Sequence, residues 1–151
     1  VKKAINDFFT ENNITYHFCD GKNGFDKYNF QNNSIYHGNF LDMPKLGLKF
    51  SNIYDRASLI ALPKQMRMMH AKVLDNMTKK NGVILLISIE YDQSKVQGPP
   101  FSVSTEEIYN CFKNSFEIKI LKEEFTPNIG TKFKNAGIDL VSQKVYLLEK
   151  I

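Results

Sequence analysis

The stretch Ile53-Tyr54-Asp55-Arg56-Ala57-Ser58-Leu59-Ile60-Ala61-Leu62-Pro63 closes an apolar run on a charged pair, and Tyr91-Asp92 followed by Gly98-Pro99-Pro100-Phe101 does the same after Val83 to Ile89. In an open α/β sheet the carboxyl ends of neighbouring strands form the crevice that holds ligands, so two polar strand ends in succession point to one site. Val83 to Ile89 is a continuous apolar run of strand length, the pattern of a strand buried on both faces of a parallel sheet. Between the two ends, Met66, Met69, Val73, Leu74 and Met77 recur at helical spacing, which predicts a helix begun near Pro63 and stopped by Asn81-Gly82.

Working outward, Leu48 to Tyr54 reads as a strand, and so does Ser34 to Phe40. Val1, Ala4, Ile5, Phe8 and Phe9 mark an amphipathic helix that Asn12-Asn13 ends. Cys19 to Asn33, rich in Gly, Asn and Asp, suits a loop or an irregular hairpin. Downstream, Ser104 with Glu107 is a capping pair for a helix that runs to about Asn114. Phe116, Ile118 and Ile120, and then Val145 and Leu147, alternate with their neighbours, so two late strands are expected. No strong helix lies between them, which predicts an antiparallel pair. The order is that of an α/β fold with a parallel centre and an antiparallel finish.

Composition narrows the classes. A chain of 151 residues, 42% hydrophobic and 24% charged, supports one core of ordinary size. The net charge of +4 is dispersed rather than gathered into arms, which favours solubility and gives no sign of a nucleic-acid partner. Val83 to Ile89 is far shorter than the roughly 20 residues that cross a bilayer, so no membrane partner is expected. Cys19 and Cys111 lack metal or redox spacing, which fits a cytoplasmic protein with free thiols. His17, His37 and His70 share no metal spacing, and each reads as structural or surface. Ser58 has no nucleophile-elbow context, so no catalytic nucleophile is assigned.

Three strand ends are candidates for one crevice: Asn39-Phe40, Asp55-Arg56 and Tyr91-Asp92. Phe40 beside Asn39 offers an aromatic wall and an edge contact for a purine, or else a core residue beside a turn. Arg56 offers a planar fork to a ligand carboxylate, or else an intramolecular pair with Asp55 or another carboxylate. Asp92 orients an acceptor or caps its own turn.

Four segments in the same order resemble the thiopurine S-methyltransferase family: IYHGNFLDMP at 35 to 44, IYDRASLIALP at 53 to 63, ISIEYDQSKVQGPPFSV at 87 to 103 and GIDLVSQKVYLLEK at 137 to 150. The resemblance implies a Rossmann-like class I methyltransferase sheet, mostly parallel with an antiparallel C-terminal strand. It also implies S-adenosyl-L-methionine as cofactor and a thiol, thiopurine or selenium compound as small-molecule acceptor. Asn39 and Phe40 carry over as adenine contacts, and Arg56 as a residue at the cofactor and substrate site. Pro99, Pro100 and Phe101 carry over to the border of the acceptor pocket. Lys132 stands near the place where the mammalian enzyme has a substrate-side arginine.

The family's glycine-rich turn and the acidic end of its second strand have no counterpart here, nor does its amino-terminal lid. Residues 1–151 therefore read as one methyltransferase domain comprising the C-terminal two-thirds of the family domain, incomplete in its N-terminal half. In the family strand order 3-2-1-4-5-7-6, strand 3 is then expected to lack a neighbour, and a missing N-terminal segment or a partner chain to complete the sheet. The rival readings are a truncated, non-catalytic binding or assembly module, and a halide or thiol methyltransferase.

Overall fold

The computed structural model describes residues 1–127 and 130–151. The chain falls into two compact units, Val1–Leu48 and Lys49–Ile151.

The first unit is one helix and a three-stranded antiparallel meander. Helix α1 (Lys2–Glu11) buries Ile5 and Phe9 at adjacent turns of one face. Strands β1 (His17–Lys22), β2 (Phe25–Phe30) and β3 (Asn33–His37) follow in sheet order. Asn23 and Gly24, at φ 55 and 81, form the two-residue turn between paired Lys22 and Phe25, a combination that matches strand twist and favours Asn-Gly. Of the two readings open for this segment, a loop or an irregular hairpin, the hairpin is found, with a register irregularity between Cys19 and Lys22. Phe9 stacks on Tyr16 at 4.2 Å and meets Phe30 edge-on at 5.2 Å, which gives the unit its core. Strand β3 is paired with β2, so the expected strand without a neighbour has one. It stops at His37, and Phe40–Leu46 is a 3-10 helix rather than a strand end.

The second unit is a four-stranded sheet covered by helices. Its strands β4 (Phe50–Arg56), β5 (Thr78–Glu90), β6 (Phe116–Thr126) and β7 (Val141–Lys150) lie in the order β4-β5-β7-β6. β4 and β5 are parallel, and β7 runs antiparallel to both β5 and β6, so β7 alone is reversed. Ile84, Leu86, Tyr146 and Leu148 form the fully buried face. Against them pack Ala71 and Leu74 of α2 (Lys64–Met77) and Ile108 and Phe112 of α3 (Thr105–Phe112). Complete burial of such a side chain contributes about 1.5–3 kcal/mol. Val83, Leu85, Ile87 and Ile89 are half-buried, so β5 is covered fully on one face and not, as expected, on both.

Three further expectations shift. Helix α2 ends at Met77, and Asn81-Gly82 lies inside β5, where the register with β4 slips between Phe50↔Thr78 and Asn52↔Val83. Val73, Leu74 and Met77 of α2 are buried as expected, but Arg67, His70 and Ala71 are buried with them, whereas Met68 and Met69 are 43% and 47% exposed. β4 ends on Arg56 rather than Tyr54, two residues later than expected. The helix opened by Ser104 is as expected: the Ser104 hydroxyl accepts from the Glu107 amide at 3.2 Å. Among the described residues no helix is long and apolar enough to cross a membrane.

Candidate functional site

Because β4 and β5 are parallel neighbours, their carboxyl ends lie on the same edge of the sheet. Arg56 pairs in register with Ile87, and β5 continues to Glu90, about 10 Å further at 3.3 Å per residue. The turn after β4 and the loop after β5 are joined where the Phe101 amide donates to the Ile60 carbonyl at 2.6 Å. The structure thus brings together two of the three expected strand ends. Asn39 and Phe40 belong to the first unit.

Side chains alternate along a strand, so Asp55 and Arg56 face opposite ways. Asp55 is 4% exposed and points inward, where its Oδ2 accepts from His70 Nε2 at 2.8 Å. Burial works to raise the Asp55 carboxyl, and the His70 ring and nearby Ser58 outweigh it, so the group lies below its ordinary value. Its other oxygen, Oδ1, is buried without a hydrogen-bond partner. Arg56 is exposed and, among the described residues, makes no hydrogen bond or ion pair. Of the two readings open for Arg56, the pair with Asp55 is therefore excluded.

The loop after β5 is held from several sides. Tyr91 donates its hydroxyl to the Pro100 carbonyl at 2.6 Å, and burial raises that phenol above its ordinary value. Gln93 donates to the Val96 carbonyl at 2.5 Å and accepts from the Ser102 amide at 2.6 Å. Gly98 is required by close approach: a Cβ there would meet the Phe101 ring at 2.3 Å. Lys132, on α4 (Thr131–Asn135), donates to the Gln97 carbonyl and reaches that of Pro99 at 3.4 Å, which places it under the proline loop. Asp92 accepts from the Ser94 hydroxyl at 2.6 Å and its amide at 3.1 Å. Those bonds hold its carboxyl below the ordinary value, so one oxygen is committed to a local turn.

Arg67 is the centre of this arrangement and was missed in the sequence. Its guanidinium donates to the Leu62 carbonyl at 3.0 Å, the Ser102 carbonyl at 3.2 Å and the Glu107 carboxylate at 2.8 Å, with the Phe101 ring 5.7 Å away. One side chain therefore ties the turn after β4, the loop after β5 and the start of α3. Beside it opens a cleft of about 440 Å³ bounded by Lys64, Arg67, Gln93, Phe101 and Glu107. The signal was available: Arg67 sits on the same helical stripe as Ala71 and Leu74, where a buried cation needs partners.

In the first unit, Asn39 caps the 3-10 helix. Its Oδ1 accepts from the Leu41 amide at 3.2 Å and its amide donates to Asp42 at 3.1 Å, so the side chain is committed locally. Phe40 is 38% exposed and is not the core residue its spacing also allowed.

Comparison with known proteins agrees with the four sequence blocks. The family model described as thiopurine S-methyltransferase matches residues 1–151. Curated proteins named thiopurine S-methyltransferase are similar to this chain. The one from Vibrio atlanticus is 34% identical over 146 residues, covering 97% of this chain and 66% of that protein. The one from Vibrio campbellii is 35% identical with the same coverage, and the one from Pseudomonas aeruginosa is 32% identical over 150 residues, 99% of this chain and 68% of that protein. The chain thus spans about two thirds of the length of these relatives.

Proposed function

The chain belongs to the thiopurine S-methyltransferase family, and from that premise we propose that the full-length protein transfers a methyl group from S-adenosylmethionine to a soft nucleophile, a thiol, a thiopurine or a selenium compound. The observation that carries the reading is Arg56: a guanidinium at the carboxyl end of a parallel strand with no partner among the described residues, while its neighbour Asp55 turns inward. When bound, the cofactor supplies an electrophilic methyl group on a sulfonium.

The residues present fit in part. Arg56 presents a planar fork to a carboxylate of the cofactor or to an anionic acceptor. Asn39 and Phe40, the adenine contacts that the resemblance implies, lie in the first unit, where Asn39 spends its side chain on the cap and Phe40 is 38% exposed. Pro99, Pro100 and Phe101, latched by Arg67 and Lys132, wall the acceptor, with the free oxygen of Asp92 at the rim. These residues bind and align. Orientation of the reactants is worth several kcal/mol, up to about 7–11 in favourable cases, and displacement at a methyl carbon by a thiolate needs no protein base.

The sheet is read as the second half of a Rossmann-like class I methyltransferase sheet, completed at β4. Both edges expose apolar side chains, Ile120, Leu121 and Phe125 on β6 at 46%, 55% and 66%, and they differ in charge. β6 carries Lys119, Lys122, Glu123 and Glu124 and a register slip between Ile120 and Lys122, features that keep an edge in water. β4 presents Phe50 and Tyr54, 38% and 59% exposed, and no charge before Asp55. A strand from a preceding segment, or from a partner chain, pairs there. Two free cysteines are in keeping with a cytoplasmic setting.

The test is competition on the full-length protein. Radiolabelled methyl donor is offered with a purine thiol, an alkyl thiol, a phenol and iodide, alongside calorimetric titration with S-adenosylhomocysteine. Preferential labelling of the thiols is expected. Preferred iodide moves the protein to a halide methyltransferase, and neither binding nor transfer leaves a non-catalytic module.

A further inference from the structure

Arg56 has no hydrogen bond or ion pair among the described residues, so its aim is set by the backbone that carries it. That backbone is unusual. Ala57, next in the chain, sits at φ 69, the left-handed region that a residue with a Cβ occupies only where the surroundings over-determine it. On the other side of Arg56 lies Asp55, and what fixes Asp55 is His70 of α2, at 2.8 Å and with 2% of its surface exposed. A carboxylate only accepts, so the ring donates through Nε2.

The pair is a costly way to build a core. One carboxylate oxygen, Oδ1, is buried with no hydrogen-bond partner among the described residues, and a buried polar group left unmatched costs stability. Asp55 instead ties the last turn of β4 to a helix that Arg67 in turn binds to the loop of Phe101 and Ser102. We propose that His70 is a positioning residue: through Asp55 it fixes the carboxyl end of β4 and so aims the Arg56 guanidinium at the ligand. The inference rests on the methyl-transfer function proposed above and adds to it a residue on another element.

A double-mutant cycle decides it, in the full-length protein with 6-mercaptopurine as acceptor. His70→Leu is expected to lower kcat/KM about tenfold, or about 1.4 kcal/mol, mostly through KM. In an Arg56→Ala background the same change is expected to cost less than about twofold, because there is no guanidinium left to aim. His70→Gln, which keeps an N–H donor toward Asp55, restores most of the loss. Should His70→Leu fail to fold, His70→Asn, too short to reach Asp55, takes its place. Equal losses with and without Arg56, or a fall in kcat at unchanged KM, overturn the proposal in favour of a merely structural pair. Wild-type protein that transfers no methyl group refutes the proposed function instead. Amide exchange then decides the pair: faster exchange at Ala57 and Ser58 alone in His70→Leu supports it, and faster exchange across β6 and β7 as well overturns it.

Discussion

Arg56 and Arg67 stand at the two ends of one connection, and the molecule treats them in opposite ways. Arg56 closes β4, exposed and without a hydrogen bond or ion pair among the described residues. Arg67 lies in the first turns of α2, its side chain 4% exposed, and spends its guanidinium on two backbone carbonyls and Glu107. A buried cation must be matched inside the protein because water is not there to solvate it. An exposed one is under no such demand, and at a strand end it remains available to a ligand. The contrast separates a residue that ties three segments together from one that, under the proposed function, meets the ligand.

The largest expected effect belongs to the buried arginine. Arg67→Ala strands the Glu107 carboxylate, itself 17% exposed, and frees the loop of Phe101 and Ser102, so a loss of about 3–5 kcal/mol in unfolding free energy is expected by chemical denaturation. Replacing both partners, Arg67→Met with Glu107→Leu, should recover most of it, because the cost lies in the orphaned charge. A loss below about 1 kcal/mol would remove the distinction drawn between the two arginines.

Arg56→Ala is expected to show the reverse pattern. Methyl transfer should fall by the worth of a charge-assisted contact, roughly 1.5 to 3 kcal/mol, while stability changes by less than about 1 kcal/mol. Both quantities are measured on the same preparation. A collapsed thermal midpoint with unchanged activity per folded molecule would make Arg56 the structural residue of the two.

Arg56 was legible in the sequence because a charge ending an apolar run is a local signal, as was Ser104 three residues before Glu107. The setting of Arg56 was not legible. His70 and Arg67 are polar residues on the buried stripe of α2, and in a segment holding Met66, Met68 and Met69 hydrophobicity alone assigns the methionines inward; Met68 and Met69 face solvent. Their burial follows from partners remote in sequence, Asp55, Ser102 and Glu107, which no periodicity reveals. The same holds for Lys132, which meets the proline loop only through the fold. In the first unit, the polar residues of β1 and β2 left a loop and an irregular hairpin both open, and the local sign that favours the hairpin is Asn23-Gly24.

The contrast also bears on the acceptor. Near the strand ends the ionisable groups are committed: Tyr91 is raised by burial, Asp92 is held ionised by Ser94, and His70 is bonded to Asp55. With no uncommitted base at these strand ends among the described residues, the rate should follow the fraction of acceptor already ionised. An aromatic thiol already ionised at neutral pH is expected to outpace an alkyl thiol of similar size by at most the ratio of their ionised fractions, about thirtyfold at pH 7 for an alkyl thiol of pKa about 8.5. The alkyl thiol then gains as pH rises toward its own pKa, roughly 8.5 for a cysteine-like group. A rate for the alkyl thiol that is flat with pH below that value would reveal a protein base.

The smallest expected effect is the share of acid stability owed to the single carboxylate beside Arg56. Asp55 has its folded value lowered from 3.8 by His70 and Ser58 against the opposing effect of burial, so the folded state binds its proton less readily than the unfolded chain does. The stability it contributes is therefore present in full above the unfolded value and is lost as pH falls through the folded one. Asp26, Asp42 and Asp92 are lowered too: Asp26 and Asp42, both partly exposed, by Lys2 and Lys45 in pairings that salt weakens, and Asp92, exposed, chiefly by the Ser94 hydroxyl and amide. Denaturation curves taken from pH 6 downward in high salt should remove the share owed to the lysine pairings, and Asp55→Asn should then flatten the part of the acid limb that belongs to the buried pair. An acid limb that high salt abolishes would assign it to the surface carboxylates, and the inward side chain at the end of β4 would then be as dispensable to stability as the outward one.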